Sequence, residues 1–101
     1  MTAGFEIVGS AGKYLLSGSA GYPNARRILE DGRRRFGAEA SAEIDLSGLT
    51  ALDSAGLAVL LAWLGESRSA GHKLAYRGLP AALVPTARVA GVDGLIGAAE
   101  R

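Results

Sequence analysis

The sequence contains no cysteine. Disulfide bonds, cysteine-ligated zinc and thiol nucleophiles are therefore excluded, and the lack of disulfides in so small a chain favours a reducing compartment. Aromatic residues are scarce, at 6% of the chain, so the core must be built mainly from leucine, valine, isoleucine and alanine. Because 49% of the 101 residues are hydrophobic, the chain can form one core but is too short for two.

Long apolar segments are also missing. The longest apolar run covers residues 57–64, whereas a helix that spans a bilayer needs about 20 residues, so no transmembrane segment is predicted. The first residues show no basic region followed by an apolar one, so no signal peptide is expected. These observations predict a cytoplasmic protein.

Neither sign of charge is in large excess. A net charge of +1 argues against binding to the phosphates of nucleic acids, and no nucleic-acid partner is predicted. Residues 41–66 nevertheless contain acidic residues and no basic one. This acidic segment predicts a neutral-to-basic surface on any partner that contacts it.

Alternating and amphipathic patterns predict elements in the order β-β-α-β-α-β-α. The predicted strands are residues 5–8, 13–18, 42–48 and 72–78, and the predicted helices are residues 23–37, 54–70 and 80–91, with a short turn or helix over 92–101. Pro23 is expected in the first turn of the first helix, and Pro85 is expected to kink the third helix or to mark its start. The predicted fold class is α/β: a mixed sheet of about four strands, with an N-terminal antiparallel hairpin and then parallel strands, packed with three to four helices in a single domain over residues 1–101.

The segment "TALDSAGLAVLLAWL", residues 50–64, combines a small polar start with an apolar helix. Asp53 is placed to cap the helix by accepting hydrogen bonds from its first backbone N–H groups. Ser54 then stands at the first helical position, where the helix N-terminus tolerates a phosphate. The simpler interpretation is a capped helix with small residues in its first turn.

The same residues resemble a known family. The stretch from "IDLSG" through "LDSAGLAVLLAWL" to "LAYRGLP", and the later "TARVAGVDGLI", are similar to the STAS domain family of anti-sigma factor antagonists and sulfate-transporter tails. Within it, the likeness is greatest to the short STAS subunit of the Mla phospholipid-transport system. The resemblance implies a non-catalytic subunit without a cofactor, bound to the ATPase of an ABC transporter that also has permease and substrate-binding subunits. It further implies location at the inner face of the inner membrane, with membrane association only through the complex.

The resemblance and the pattern together predict a partner-binding surface at the start of this helix and along one flank. Its predicted residues are Thr50, Asp53, Ser54, Ala55, Gly56, Val59 and Trp63. Gly56 is expected to leave room for an approaching surface, and Trp63 is expected to anchor the partner. The alternative is that Trp63 packs at the edge of the sheet under another helix.

Other functions remain as alternatives. The first is an anti-sigma factor antagonist that a kinase phosphorylates on Ser54, although the loop "SGSAGYPN" lacks the acidic residues typical of that group. The second is a module that binds a small lipid or nucleotide at one end of the sheet. Catalysis by Ser54 is not predicted, since Leu52 replaces the glycine of a nucleophile elbow and His72 is the only histidine. One histidine without cysteine predicts no metal site. The arginines at residues 33–35 are expected on a solvated helix face, or in a peripheral contact with membrane or transporter.

Overall fold

A computed structural model describes residues 4–91. The strands are β1 (Phe5–Ser10), β2 (Lys13–Ala20), β3 (Ser41–Leu52) and β4 (Lys73–Arg77), and the helices are α1 (Ala25–Phe36), α2 (Ser54–Ser69) and α3 (Val84–Val89), the last preceded by a 3₁₀ turn (Ala81–Leu83). The predicted order of elements is therefore confirmed up to α3. The turn or helix predicted over 92–101 lies outside the described residues.

The four strands form one sheet in the order β1-β2-β3-β4. The β1 and β2 strands are antiparallel, and the other two pairs are parallel. Ala11 and Gly12 join the hairpin with positive φ angles of 53° and 84°, as a two-residue turn matching the strand twist requires. The predicted α/β fold with a mixed sheet is thus confirmed.

Strand β3 is longer than its sequence pattern predicts. It continues to Leu52, which is aligned with Ala20 of β2, so the predicted loop over residues 49–53 is wrong for all but Asp53. The strand stays paired because the register shifts twice, and the second shift leaves Thr50 without a partner residue in β2. Such bulges break the strict alternation of apolar and polar residues, and this explains why the pattern alone ended the strand early.

The structure contradicts the prediction for Pro23 and agrees with one of the two predictions for Pro85. Pro23 precedes α1, which begins at Ala25 after the N-cap Asn24, so its predicted place in the first helical turn is wrong. Pro85 lies at the start of α3 and marks the beginning of that helix, one of the two predicted possibilities. A proline is tolerated there because the first helical N–H groups have no partner within the helix.

All three helices contribute to one core on one face of the sheet. Its largest fully buried side chains are Ile7, Leu16, Ile28, Ile44, Leu46 and Leu60. The other face carries an exposed ion-pair network in which Glu43 contacts Lys13 and Arg77, and Asp45 also contacts Arg77. Within residues 4–91, no helix is long and apolar enough to cross a bilayer.

Candidate functional site

The site is the junction between β3 and α2, and the carboxylate of Asp53 holds it together. Its Oδ1 atom accepts hydrogen bonds from the backbone N–H groups of Ala55 and Gly56, at 2.9 and 3.0 Å. Its Oδ2 atom accepts the N–H of Tyr22, at 3.0 Å, from the loop between β2 and α1. These N–H groups, first that of Tyr22 and then that of Gly56, lower the pKa of Asp53. Asp53 caps α2 as predicted, and it also joins the loop between β2 and α1 to that helix.

The loop from Gly21 to Asn24 is itself fixed by hydrogen bonds. The Asn24 amide accepts the N–H of Gly21 at 3.0 Å and donates to the carbonyl of Ser19 at 2.8 Å. A Cβ atom on Gly21 would lie 2.7 Å from the Asp53 Oδ2 atom, so only glycine allows this approach. The loop and the first turn of α2 therefore form one rigid corner.

Ser54 is exposed at this corner and Ala55 is half-buried, whereas Thr50 is exposed earlier, within β3 at the register shift. No hydrogen bond among residues 4–91 uses the Ser54 hydroxyl. The N–H groups of the first turn are not open, however, because Asp53 already accepts those of Ala55 and Gly56. A phosphate on Ser54 would compete with the Asp53 carboxylate for these two donors.

Gly56 is buried, and the surface that approaches it belongs to the same chain. A Cβ atom at this position would lie 2.2 Å from the Ala20 carbonyl oxygen at the end of β2. The prediction that Gly56 leaves room for a partner is therefore wrong. Its missing side chain lets α2 sit directly against the sheet.

The predicted flank of Val59 and Trp63 is also wrong as a partner surface. Their exposed fractions are 4% and 3%. Helix α1 covers Trp63, and Val59 lies one turn earlier on the same face of α2. The Trp63 indole packs edge-on against Phe36, with ring centroids 5.0 Å apart, and donates to the Leu29 carbonyl at 3.1 Å. The alternative interpretation, packing under another helix, is the correct one.

Gly32, in the interior of α1, is the residue whose presence in the sequence points to this packing. A Cβ atom on Gly32 would lie 2.3 Å from Cζ2 of the Trp63 ring, so Gly32 forms the notch that receives the indole. Glycine in a helix interior lowers the stability of the helix by about 1 kcal/mol relative to alanine. A glycine at such a position despite this cost indicates that another group approaches the helix closely there. The sequence does not show which side chain makes that contact.

Sequence reasoning missed two exposed apolar residues beside the corner. Tyr22, whose N–H binds Asp53, has an exposed fraction of 84%, and Val89 in α3 has one of 90%. Val89 lines an apolar groove between α3 and the start of α2, together with Ser54, Leu57, Pro85, Thr86 and Ala90. Neither residue stands out in the sequence, since Tyr22 lies in a loop and Val89 fits the apolar pattern of a helix.

The metal ligands and the serine–histidine pair considered in the sequence are not brought together among the described residues. No group of three or more histidine, cysteine or acidic residues is close enough to hold a metal ion in residues 4–91. His72 follows the end of α2, and this 16-residue helix is ~24 Å long. It therefore lies far from Ser54 at the start of the helix and cannot act as its base.

One comparison with known proteins gives a match. The family model described as "Mlab, STAS domain" matches residues 3–97. A search of curated proteins found no significant match. The matched residues include the whole sheet, all three described helices and the corner at Asp53.

Proposed function

The chain belongs to the STAS domain family, in its MlaB-like group, and we propose that it is a non-catalytic accessory subunit of a phospholipid ABC transporter. In this proposal it binds the cytoplasmic ATPase subunit, within a complex that also contains permease and substrate-binding subunits. STAS domains are generally non-catalytic. The complex would hold the protein at the inner face of the inner membrane, where transport maintains the lipid asymmetry of the outer membrane.

The rigid, exposed first turn of α2 is the observation that carries this proposal. Ser54 is exposed there, while Asp53 fixes the backbone around it through three N–H groups. A surface that is already ordered loses little conformational entropy when a partner binds. This corner is therefore suited to protein recognition.

The corner alone is too small for a stable interface. A specific interface takes roughly 800 Å² from each partner, so contacts must extend beyond the first turn. The outward strip of α2 offers Ala58 and Gly65, both exposed, and the half-buried Ala62. Small side chains there let a partner approach the helix closely. Docked in this way, a rigid domain on each ATPase protomer would favour an arrangement of the nucleotide-binding dimer that hydrolyses ATP.

Co-purification with the ATPase subunit, followed by titration of the two purified proteins, tests the proposal. We expect Ser54→Asp to weaken binding at least about tenfold, because a second carboxylate would stand beside Asp53 at the interface. Ser54→Ala should weaken it by about threefold or less. Ser41→Asp is the matched control, since Ser41 is an exposed serine at the start of β3, whereas the corner follows the end of that strand. Failure of the wild-type protein to bind the ATPase would refute the proposal.

The second candidate is an anti-sigma factor antagonist that is switched by phosphorylation of Ser54. The exposed hydroxyl supports it, because a kinase needs access to the serine. Asp53 weakens it, since its carboxylate occupies the N–H groups that would bind the phosphate. Incubation with a serine-kinase anti-sigma factor and ATP separates the two candidates: one added phosphate in the mass spectrum, absent from Ser54→Ala, would favour the switch.

A further inference from the structure

Few large hydrophobic side chains are exposed in the described part of the chain, and two of them lie close to the corner that presents Ser54. Within residues 4–91 the exposed large hydrophobic residues are Val8, Tyr22 and Val89. Tyr22 is joined to the corner through Asp53, and Val89 shares the apolar groove with Ser54. Val8 lies on the opposite side of the molecule, on the outer face of the sheet. The corner therefore has two exposed apolar residues next to it.

Tyr22 is presented by an ordered loop. Its own N–H donates to Asp53, and the preceding Gly21 donates to Asn24. The backbone of Tyr22, which carries the exposed ring, is therefore fixed before any partner binds. An exposed tyrosine on a rigid backbone supplies a large contact area at a low entropic cost.

Asp53 supplies a negative charge at this corner. Carboxylates elsewhere on the surface, such as those of Asp31, Glu43 and Glu66, contact arginine or lysine side chains. Asp53 contacts only backbone N–H groups and has no cationic partner in residues 4–91. The carboxylate lies 3.0 Å from the backbone nitrogen of Tyr22, so a long arginine or lysine side chain that pairs with the charge can also reach the face of the exposed ring.

We propose that the docking ATPase surface inserts an arginine or lysine side chain between the Tyr22 ring and the Asp53 carboxylate. An adjoining apolar side chain of the ATPase fills the groove beside Val89. This inference rests on the proposed function, and it adds the chemistry of the partner surface and two anchor residues of this chain.

Titration with the purified ATPase subunit tests the two anchors. We expect Tyr22→Ala to raise the Kd about thirtyfold and Val89→Ser to raise it about tenfold, as truncation of central interface residues does. Val8→Ser is the matched control for Val89→Ser, because it removes the same side chain from an exposed position away from the corner. It should change the Kd by less than about threefold.

The salt dependence of binding tests the charge. Increasing ionic strength should weaken the wild-type complex, since salt screens an exposed ion pair. Asp53→Asn should bind more weakly and lose part of this dependence. Its Oδ1 atom can still cap α2, but its amide nitrogen cannot accept the Tyr22 N–H, so the change in salt dependence, and not the loss of affinity, reports the charge. Glu6→Gln is the control, because Glu6 is exposed on the outer sheet face and has no ion pair within the described part of the chain. Its salt dependence should equal that of the wild type.

The outcomes separate this inference from the proposed function. If the wild-type protein does not bind the ATPase, both are refuted. If it binds, but Tyr22→Ala and Val89→Ser bind as Val8→Ser does, only the inference is refuted. If Val89→Ser lowers the free energy of unfolding as a buried substitution would, the groove is covered by the chain itself and is not available to a partner.

Discussion

The two flanks of helix α2 carry apolar residues of similar kind, yet one is closed and the other is open. On the closed flank, facing α1, Val59 and Trp63 are buried. On the open flank, facing α3, the groove beside Ser54 and Leu57 is lined by Pro85 and the exposed Val89. One helix is therefore covered by a neighbouring helix on one side and borders an open apolar groove on the other.

The difference arises from the neighbouring helices and not from α2 itself. Helix α1 has 12 residues and a notch at Gly32 that receives the indole. An ion pair between Arg33 and Glu66 joins the two helices at the solvent edge of this flank, and it lowers the pKa of Glu66. Helix α3 has only six residues. Coverage by a neighbour, and not the composition of a helix, decides which apolar face is available to a partner.

The largest expected effect comes from opening the closed flank. Trp63→Ala should reduce the free energy of unfolding by about 3–5 kcal/mol, because it leaves a cavity between the two helices. Trp63→Phe should cost less, about 1–2 kcal/mol, since it keeps an aromatic ring against Phe36 and loses the hydrogen bond to Leu29. Denaturant unfolding of both variants measures these costs. A loss below about 1 kcal/mol for Trp63→Ala would contradict an enclosed indole.

The next largest expected effect is the difference in stability between alanine substitutions at two glycines of α2. Gly56→Ala should destabilise the protein by about 2 kcal/mol, because its Cβ atom would meet the Ala20 carbonyl oxygen at 2.2 Å. Gly65→Ala places a methyl group where no atom lies within 4 Å, so it should stabilise the helix by about 0.5–1 kcal/mol. Thermal unfolding of the two variants should move the midpoint in opposite directions. Equal shifts would show that α2 does not sit against the end of β2.

Asp53→Ala should cost about 1 kcal/mol at neutral pH, the usual value of a helix N-cap. The folded-state pKa of Asp53 is lowered by the N–H groups that it accepts, so its contribution is present above the unfolded pKa of about 4 and is lost as the pH falls through the folded value. The difference in stability between wild type and variant should therefore shrink below about pH 4. Urea unfolding at several pH values measures it, and a constant difference would rule out a charged cap.

The sheet and its helices follow from sequence because they depend on local patterns. Alternating residues in β2, helical spacing in α2 and turn glycines each specify an element without reference to the rest of the chain. The end of β3 was mispredicted because a bulge at Thr50 interrupts the alternation. Pairing with β2, which lies at a distance in the sequence, keeps that strand in the sheet.

The candidate site likewise has features that follow from local sequence and features that depend on distant contacts. The capping role of Asp53 is local and was predicted from its place before an apolar helix. The burial of Trp63 depends on Gly32, 31 positions earlier in the chain, and the exposure of Tyr22 depends on a loop attached to Asp53. Contacts of this kind decide which apolar residues face solvent, and no local pattern contains them.

The smallest expected effect on folding comes from the open flank. Val89→Ser should change the free energy of unfolding by no more than about 0.5 kcal/mol, because the side chain is almost fully exposed. Val59→Ser is the matched control on the closed flank. It should cost about 2 kcal/mol or more, since it removes buried methyl groups and buries a hydroxyl. Urea unfolding of the two serine variants compares the flanks directly, because the same residue is exchanged on each. Similar costs for both would mean that α2 is covered equally on its two sides, and the groove beside Ser54 would then not be open to a partner.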